Sequence, residues 1–136
     1  MIVILFHCAI KKIGGVDSEN YVILVAFSQG GQELHHALQY LTPKEKARLV
    51  IGAFGTATFI NDPDVAYCHN FIHTKDPIPF VADTINYVKA GFGLLTNVSF
   101  ISGPESIFGA HRFENDTYQR GLEYFHDDLI EMRIIK

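Results

Sequence analysis

The chain has 136 residues, of which 48% are hydrophobic and 19% charged, as is ordinary for one globular domain over residues 1–136. A formal net charge of −4, with no basic cluster beyond Lys11 and Lys12, argues against a nucleic-acid partner. The apolar start is too short to span a bilayer and lacks the charged region of a secretory signal. We therefore expect no transmembrane segment and a cytoplasmic location. Cys8 and Cys68 lie in apolar contexts, which favours two buried free thiols over a disulfide.

The first stretch of the chain, residues 1–13, fits two secondary structures. The aliphatic run at residues 2–5 favours a strand, whereas Ala-Ile-Lys-Lys-Ile-Gly-Gly at residues 9–15 is typical of a helix that ends at a glycine stop. We expect the helix. The alternative is a strand over residues 2–8, from which a parallel crossover to Tyr21 would have only about twelve residues, near the lower limit for such a connection.

The rest of the chain is organised around residues 21–31, which read Tyr-Val-Ile-Leu-Val-Ala-Phe-Ser-Gln-Gly-Gly. The continuous apolar run predicts a central strand over residues 21–27, buried on both faces of a parallel sheet. The run ends at Ser28, and a helical pattern over about residues 30–41 starts at once. Its apolar positions recur at helix spacing, at Leu34, Ala37, Leu38 and Leu41.

A strand that turns straight into a helix through Ser-x-Gly-Gly has the layout of a nucleophile elbow. This turn strains the backbone of the serine, so the flanking residues must be small, and Ala26, Gly30 and Gly31 meet that condition. Ser28 is then presented at the top of the sheet as an activated nucleophile. The alternative is an ordinary strand–helix junction in which Ser28 only caps the helix.

Further strand and helix patterns follow in regular alternation. The sequence Thr42-Pro43-Lys44-Glu45 is a capping box with proline at the first helical position, and it predicts a short helix. Strands are predicted at residues 49–54, 66–73 and 98–102.

Two more helices complete the pattern. The prolines after Asp76 open a helix whose predicted apolar stripe consists of Val81, Ile85 and Val88. The last helix begins near Asp116, with an apolar face formed by Tyr118, Leu122, Phe125, Leu129 and Met132. The alternation predicts an α/β domain with three layers, αβα, around a mostly parallel sheet of about four strands.

Ser28, Asp76 and His111 each follow a different predicted strand. A serine hydroxyl is a poor nucleophile, so it needs a base, and the base needs an acid that orients it. Because ligand chemistry in open parallel sheets gathers at the carboxyl ends of the strands, we expect these three side chains to converge there.

These residues resemble the catalytic motifs of α/β-hydrolases of the lipase and esterase type. Ala26-Phe27-Ser28-Gln29-Gly30 is similar to their nucleophile elbow, with alanine in place of the usual first glycine. Asp76-Pro77-Ile78-Pro79 is similar to their acid loop, and Gly109-Ala110-His111 to their histidine loop. The resemblance covers about residues 9–132. It implies hydrolysis of esters, with lipid esters among the substrates. Ser28 would be the nucleophile, His111 the proton shuttle and Asp76 the acid that orients His111, with the Gln29 N–H in the oxyanion hole.

The chain departs from that family in having no strands before the elbow that would form the other wing of the sheet. One of the missing loops donates the second oxyanion-hole N–H, and the loss of such a donor costs ~10²–10³ in turnover. The alternative function is therefore a truncated, inactive relative that acts as a binding module. The strand at residues 21–27 would also have only one neighbour, so we expect self-association or a partner segment at its open edge.

Other site assignments are weaker, and we expect neither a metal nor a cofactor. His69 and His73 have the i, i+4 spacing of a zinc site on a helix, but on a strand that spacing separates them by about 13 Å. Asp83 could replace Asp76 as the acid, but it falls in a predicted helix. His126 could replace His111, but it lies in the last amphipathic helix, where exposure to solvent is expected.

Overall fold

Four strands form a single all-parallel sheet in the computed structural model, which describes residues 2–135. They are β1 (Val22–Phe27), β2 (Leu49–Phe54), β3 (Tyr67–His73) and β4 (Val98–Ile101), and they lie side by side in chain order. In register, Phe27 at the end of β1 pairs with Phe54 of β2, which in turn pairs with Phe71 of β3. The carboxyl ends of the first three strands therefore lie together at one edge of the sheet.

Helices cover both faces of this sheet, so the predicted three-layer α/β architecture is confirmed. The helices are α1 (Ile2–Lys12), α2 (Gln29–Leu38), α3 (Pro43–Lys46), α4 (Pro77–Ala82), α5 (Thr84–Gly91), α6 (Ile107–Ala110) and α7 (Asp116–Glu131). On one face, α1 and α2 pack on alternate residues of β2, namely Leu49, Ile51 and Ala53. On the other face, α7 packs on the intervening residues, including Val50 and Phe54. No helix among residues 2–135 is long and apolar enough to cross a bilayer.

The strand that is buried on both faces is β2, and the expectation that residues 21–27 form such a central strand is wrong. Every residue of β2 is buried, because β2 lies between β1 and β3 and both helical layers cover it. β1 pairs only with β2, and α7 packs over β2, β3 and β4. Ile23 and Val25 are consequently 41% and 49% exposed on the face that α7 leaves open.

The first helix settles the two interpretations of residues 1–13, apart from Met1, which lies outside the described residues. Residues 2–12 are helical, so the expected helix is confirmed and the alternative strand over residues 2–8 is wrong. Phe6 and Ile10, four residues apart, point one face of α1 into the core. Cys8 lies on the opposite face and is exposed, which corrects its predicted burial. The Cys68 thiol is also free, and burial raises its pKa to about 12.

The helix predicted after Asp76 is interrupted, and its predicted apolar stripe is wrong. The helical path breaks at Asp83 (φ −138°, ψ 59°), where α4 ends and α5 begins. The Asp83 carboxylate accepts a hydrogen bond from the Phe59 N–H and another from the Asn86 amide, which stabilises the break. The break rotates the following turn, and the core contact is made by Ala90 and Tyr87. The three stripe residues are exposed: Val81, Ile85 and Val88.

Other local predictions agree with the structure. The Thr42 hydroxyl accepts a hydrogen bond from the Glu45 N–H, and the Glu45 carboxylate accepts one from the Thr42 N–H, as the capping box requires. The last helix begins at Asp116 as predicted, and most of its apolar face is buried, although Met132 is 44% exposed. The elbow helix is shorter than predicted, since α2 ends at Leu38 and Leu41 is buried beyond its end.

Candidate active site

Ser28 occupies a strained turn between β1 and α2. Its backbone has φ 52° and ψ −125°, a conformation that residues with a side chain rarely adopt. Its hydroxyl makes no capping bond to α2, so the simpler interpretation of Ser28 as a helix cap is wrong. A strained residue persists only where its surroundings hold it. The end of β2 does so, because the Ser28 N–H donates to the Phe54 carbonyl (3.3 Å) and the Ser28 carbonyl accepts from the Ala57 N–H (3.0 Å).

The small residues beside Ser28 are not equally constrained. A Cβ at Gly31 would lie closer than 3.0 Å to the Thr56 side chain, so a larger residue would push α2 away from the loop after β2. Ala26 is buried against the core formed by α1 and α2. A Cβ at Gly30 would meet no heavy atom within 4 Å. The expected need for a small residue is therefore supported by contacts at Gly31 and not at Gly30.

The structure brings Ser28, His111 and Asp76 together in one hydrogen-bonded chain, which confirms the predicted convergence. His111 Nε2 lies 2.8 Å from Ser28 Oγ, and His111 Nδ1 lies 2.7 Å from Asp76 Oδ2. A carboxylate only accepts hydrogen bonds, so Nδ1 carries a proton and donates a hydrogen bond to Asp76. Nε2 is then free to accept from the Ser28 hydroxyl. The imidazole is therefore in the tautomer that a general base needs.

Asp76 is held at the start of α4 and is hidden from solvent. Its side chain has no exposed surface, and its Oδ1 accepts a hydrogen bond from the Ile78 N–H at 2.9 Å. That contact makes Asp76 the N-cap of α4, with Pro77 at the first helical position, where its missing N–H costs nothing. Helix capping thus uses one carboxylate oxygen and leaves the other, Oδ2, directed at His111.

The loop that carries His111 is fixed by side chains from neighbouring elements. Asn115 donates from its amide to the carbonyls of Ala110 (2.9 Å) and Gly109 (3.3 Å), while its amide oxygen caps α7 by accepting from the Tyr118 N–H (2.7 Å). The His111 ring stacks on Phe27, the residue before Ser28. The position of His111 is therefore coupled both to α7 and to the elbow.

A second buried cluster supports the same loop. Glu105 accepts hydrogen bonds from His73 Nε2 (2.9 Å), from the Thr117 hydroxyl (2.7 Å) and from the Thr117 N–H (3.0 Å). Burial alone would raise the pKa of Glu105, but these hydrogen bonds outweigh it and lower the pKa to about 2. The cluster joins the end of β3 to the first turn of α7 through the loop that precedes His111.

The backbone N–H groups near Ser28 decide whether an oxyanion could be stabilised there. Gln29 is the first residue of α2, so its N–H has no acceptor within the helix, and the N-terminus of a helix favours an anionic oxygen. The alternative strand over residues 2–8 would have placed a backbone N–H of Cys8 or Ala9 beside the oxyanion. Since these residues are helical, that source of a second donor is excluded.

Two depressions adjoin the elbow. One, of about 830 Å³, lies on the His111 side and is lined by Phe27, Glu105, Gly109, His111, Arg112, Phe113, Glu114 and Asn115. The other, of about 230 Å³, is mainly apolar and lies on the α1 side, lined by Phe6, Leu24, Val25, Ala26, Phe27, Gly30 and Leu34. Ser28 follows Phe27, which lines both depressions.

The remaining candidate residues lie apart from this chain of hydrogen bonds. Asp83 stabilises the break between α4 and α5, and His126 is exposed on α7, as expected. His69 Nε2 lies 2.9 Å from Ser99 Oγ, and His73 is bonded to Glu105. Within residues 2–135, no group of three or more His, Cys, Asp or Glu side chains is placed to hold a metal ion.

Sequence reasoning missed two residues of the site, Tyr118 and Glu105. Tyr118 was expected only as part of the apolar face of the last helix, yet its hydroxyl lies 2.5 Å from Asp76 Oδ2. No local pattern marks either residue, because each bonds to a partner from a distant element.

Comparison with protein families, with curated proteins and with solved structures gave no match to this chain.

Proposed function

We propose that this protein is a serine hydrolase that cleaves carboxylic esters, and that it is a relative of the α/β-hydrolases. The observation that supports the proposal most directly is the continuous path from Ser28 Oγ to His111 Nε2 (2.8 Å) and from His111 Nδ1 to Asp76 Oδ2 (2.7 Å). The strained backbone of Ser28 at the end of a parallel strand, directly before a helix, is the second support.

In the proposed mechanism, Ser28 Oγ attacks the ester carbonyl while His111 Nε2 takes the hydroxyl proton. Asp76 stabilises the imidazolium that forms, and the Gln29 N–H stabilises the oxyanion. Collapse of the tetrahedral intermediate breaks the bond to the alcohol, which leaves with the proton returned from His111. Water then attacks the acyl–Ser28 ester, again with His111 as the base, and releases the carboxylic acid and free Ser28.

An ester with an apolar acyl group suits the surroundings of the site. The smaller depression beside the elbow is lined by aliphatic and aromatic side chains, and α6 exposes two large apolar residues directly before His111. Ile107 and Phe108 are 60% and 96% exposed. Solvent-exposed apolar side chains around a site favour a substrate with its own apolar surface, such as a lipid ester. The hydrolysis of p-nitrophenyl esters of increasing acyl length measures this preference, and faster turnover of the acetate than of longer chains would contradict it.

The experiment that tests the function is covalent labelling by a fluorophosphonate. We expect wild type to be labelled at one site, and Ser28→Ala to be unlabelled and inactive on esters, with a thermal midpoint nearly equal to that of wild type. Ser102→Ala is the matched control, since Ser102 is an exposed serine near the carboxyl end of β4. Labelling that persists in Ser28→Ala, or no labelling of wild type, would contradict the proposal. A large loss of stability in Ser28→Ala would favour a structural role for this serine.

The alternative function is that of a non-catalytic relative that acts as a binding module. The observation that favours it is the helix at residues 2–12, which leaves Gln29 as the single proposed oxyanion donor. The loss of one such donor costs ~10²–10³ in turnover. A folded wild-type protein that binds an ester analogue, without labelling and without turnover, is the result expected of the binding module.

The proposal extends to association and location. The outer backbone groups of β1 have no neighbouring strand among the described residues, and Ile23 and Val25 are exposed beside them. We infer that this edge pairs with a second copy of the chain or with a partner segment.

The free thiols of Cys8 and Cys68 are consistent with the cytoplasm as the proposed location.

A further inference from the structure

Tyr118 is a fully buried tyrosine in the first turn of α7, and its hydroxyl contacts Asp76, the proposed catalytic acid. The hydroxyl oxygen lies 2.5 Å from Asp76 Oδ2, the same oxygen that accepts the hydrogen bond from His111 Nδ1. Asp76 therefore accepts three hydrogen bonds in all, since the Ile78 N–H occupies Oδ1. A hydrogen-bond donor shared in this way stabilises the negative charge of the carboxylate.

The direction of the Tyr118 hydrogen bond follows from its second partner. The backbone N–H of His73 lies 3.3 Å from the hydroxyl oxygen and can only donate to it. The hydroxyl proton is left to point at Asp76, which can only accept. Burial, the hydrogen bond to Asp76 and the charge of Asp76 all raise the pKa of Tyr118, so the donor keeps its proton where the site would operate.

The surrounding structure is shaped to allow this contact. Gly55, the residue after β2, has φ 52°, and a Cβ there would lie closer than 3.0 Å to both the Tyr118 hydroxyl oxygen and Asp76 Oδ2. The Tyr118 ring packs edge-on against Phe27 (5.8 Å between centroids) and Phe54 (6.4 Å). Tyr118 therefore has little freedom to leave Asp76, and glycine at position 55 leaves room for the pair.

We propose that Tyr118 is a positioning residue of the site. Its hydroxyl holds the Asp76 carboxylate toward His111 and weakens the electrostatic attraction between that carboxylate and the His111 imidazolium. The second part rests on the proposed function, because it matters only if His111 acts as a base. Without the hydroxyl, the negative charge of Asp76 would lose one of the hydrogen bonds that stabilise it. His111 would then hold its proton more tightly, and deprotonation to the active base would need a higher pH.

The test compares wild type with Tyr118→Phe and with Tyr124→Phe, a control on the same helix whose side chain is 52% exposed. NMR of the His111 ring measures its titration midpoint without any need for turnover. We expect Tyr118→Phe to move that midpoint upward by roughly 0.5 to 1 pH unit, and the acidic limb of kcat/KM to move with it, while Tyr124→Phe changes neither. The titratable groups next to the pair, Tyr87 of α5 and His73 of β3, are the same in all three proteins. So are the charged groups that line the depression beside His111, namely Glu105, Arg112 and Glu114.

The outcomes separate this inference from the proposed function. An unchanged His111 midpoint in Tyr118→Phe overturns the inference, whether or not the protein hydrolyses esters. A shifted midpoint in a protein that cleaves no ester supports the contact and contradicts only the proposed function. If Tyr118→Phe does not fold, 3-fluorotyrosine at position 118 keeps the hydroxyl and makes it a stronger donor. The midpoint is then expected to move downward, and an upward or absent shift overturns the inference.

Discussion

The imidazole of His111 stacks on the ring of Phe27, with 4.9 Å between the ring centroids and 24° between the planes. Phe27 is the last residue of β1 and directly precedes Ser28. The strand that presents the proposed nucleophile therefore also supports the face of the proposed base. The stack fixes the plane of the imidazole, and the two hydrogen bonds of His111 fix its rotation within that plane.

Replacement of Phe27 by leucine should impair catalysis more than folding. Leucine keeps an apolar side chain at this half-buried position but removes the flat surface under His111. We expect kcat to fall by ~10-fold to 10²-fold, because small misplacements of catalytic groups cause losses of that size. Steady-state ester hydrolysis measures the effect, with Phe92→Leu as the control because Phe92 is 80% exposed at the end of α5. An unchanged kcat would show that the stack does not position the base.

The two glycines after Gln29 should respond differently to replacement by alanine. Gly31→Ala places a methyl group against Thr56, closer than 3.0 Å, and should lower the free energy of unfolding by about 1–3 kcal/mol. Gly30→Ala meets open space within α2 and should leave that free energy unchanged or raise it by up to about 1 kcal/mol. Urea denaturation of both variants measures the difference. Equal losses would contradict the packing argument.

Glu105 should make the stability of the protein depend on pH in the acid range. Its pKa falls from 4.5 to about 2 on folding, so the unfolded chain binds the proton more readily than the folded one. The stabilisation is complete above about pH 4.5 and is lost as the pH falls toward 2. After allowance for solvent screening, it amounts to about 1–3 kcal/mol.

Chemical denaturation between pH 2 and pH 6 measures this contribution. Glu105→Gln should be less stable than wild type at pH 6, with a difference that narrows as the pH approaches 2. Glu123→Gln, on the exposed side of α7, is the control. A difference between Glu105→Gln and wild type that stays constant over this range would contradict the assignment of the shift to Glu105.

The open edge of β1 should cause association that a single charge removes. Val25→Lys places a cation on the exposed apolar face beside that edge, and lysine on edge strands opposes strand pairing. We expect wild type to gain mass with concentration in light scattering, and Val25→Lys to remain a monomer. Val81→Lys is the control, since Val81 is 72% exposed on α4. A wild-type monomer at every concentration would contradict pairing of this edge with a second copy of the chain.

Local patterns in the sequence were sufficient for the features that depend on neighbours along the chain. The elbow at Ser28, the capping box at Thr42 and Glu45, and the start of α7 at Asp116 were all predicted. The reason is that turn geometry and helix capping involve residues within about four positions of one another. The convergence of Ser28, Asp76 and His111 was predicted as well, because parallel strands bring their carboxyl ends to one edge.

Only the tertiary structure decided which strand lies at the edge and what surrounds the acid. An apolar run looks the same in β1 and β2, but strand order and the placement of α7 leave β1 half open and bury β2 completely. The helix expected after Asp76 breaks at Asp83, because the carboxylate of Asp83 binds a distant N–H of Phe59. In the same way, Tyr118 belongs to an ordinary apolar helix face until folding places its hydroxyl against Asp76, 42 residues earlier in the chain. Such contacts depend on the path of the whole chain, and short-range sequence patterns do not encode that path.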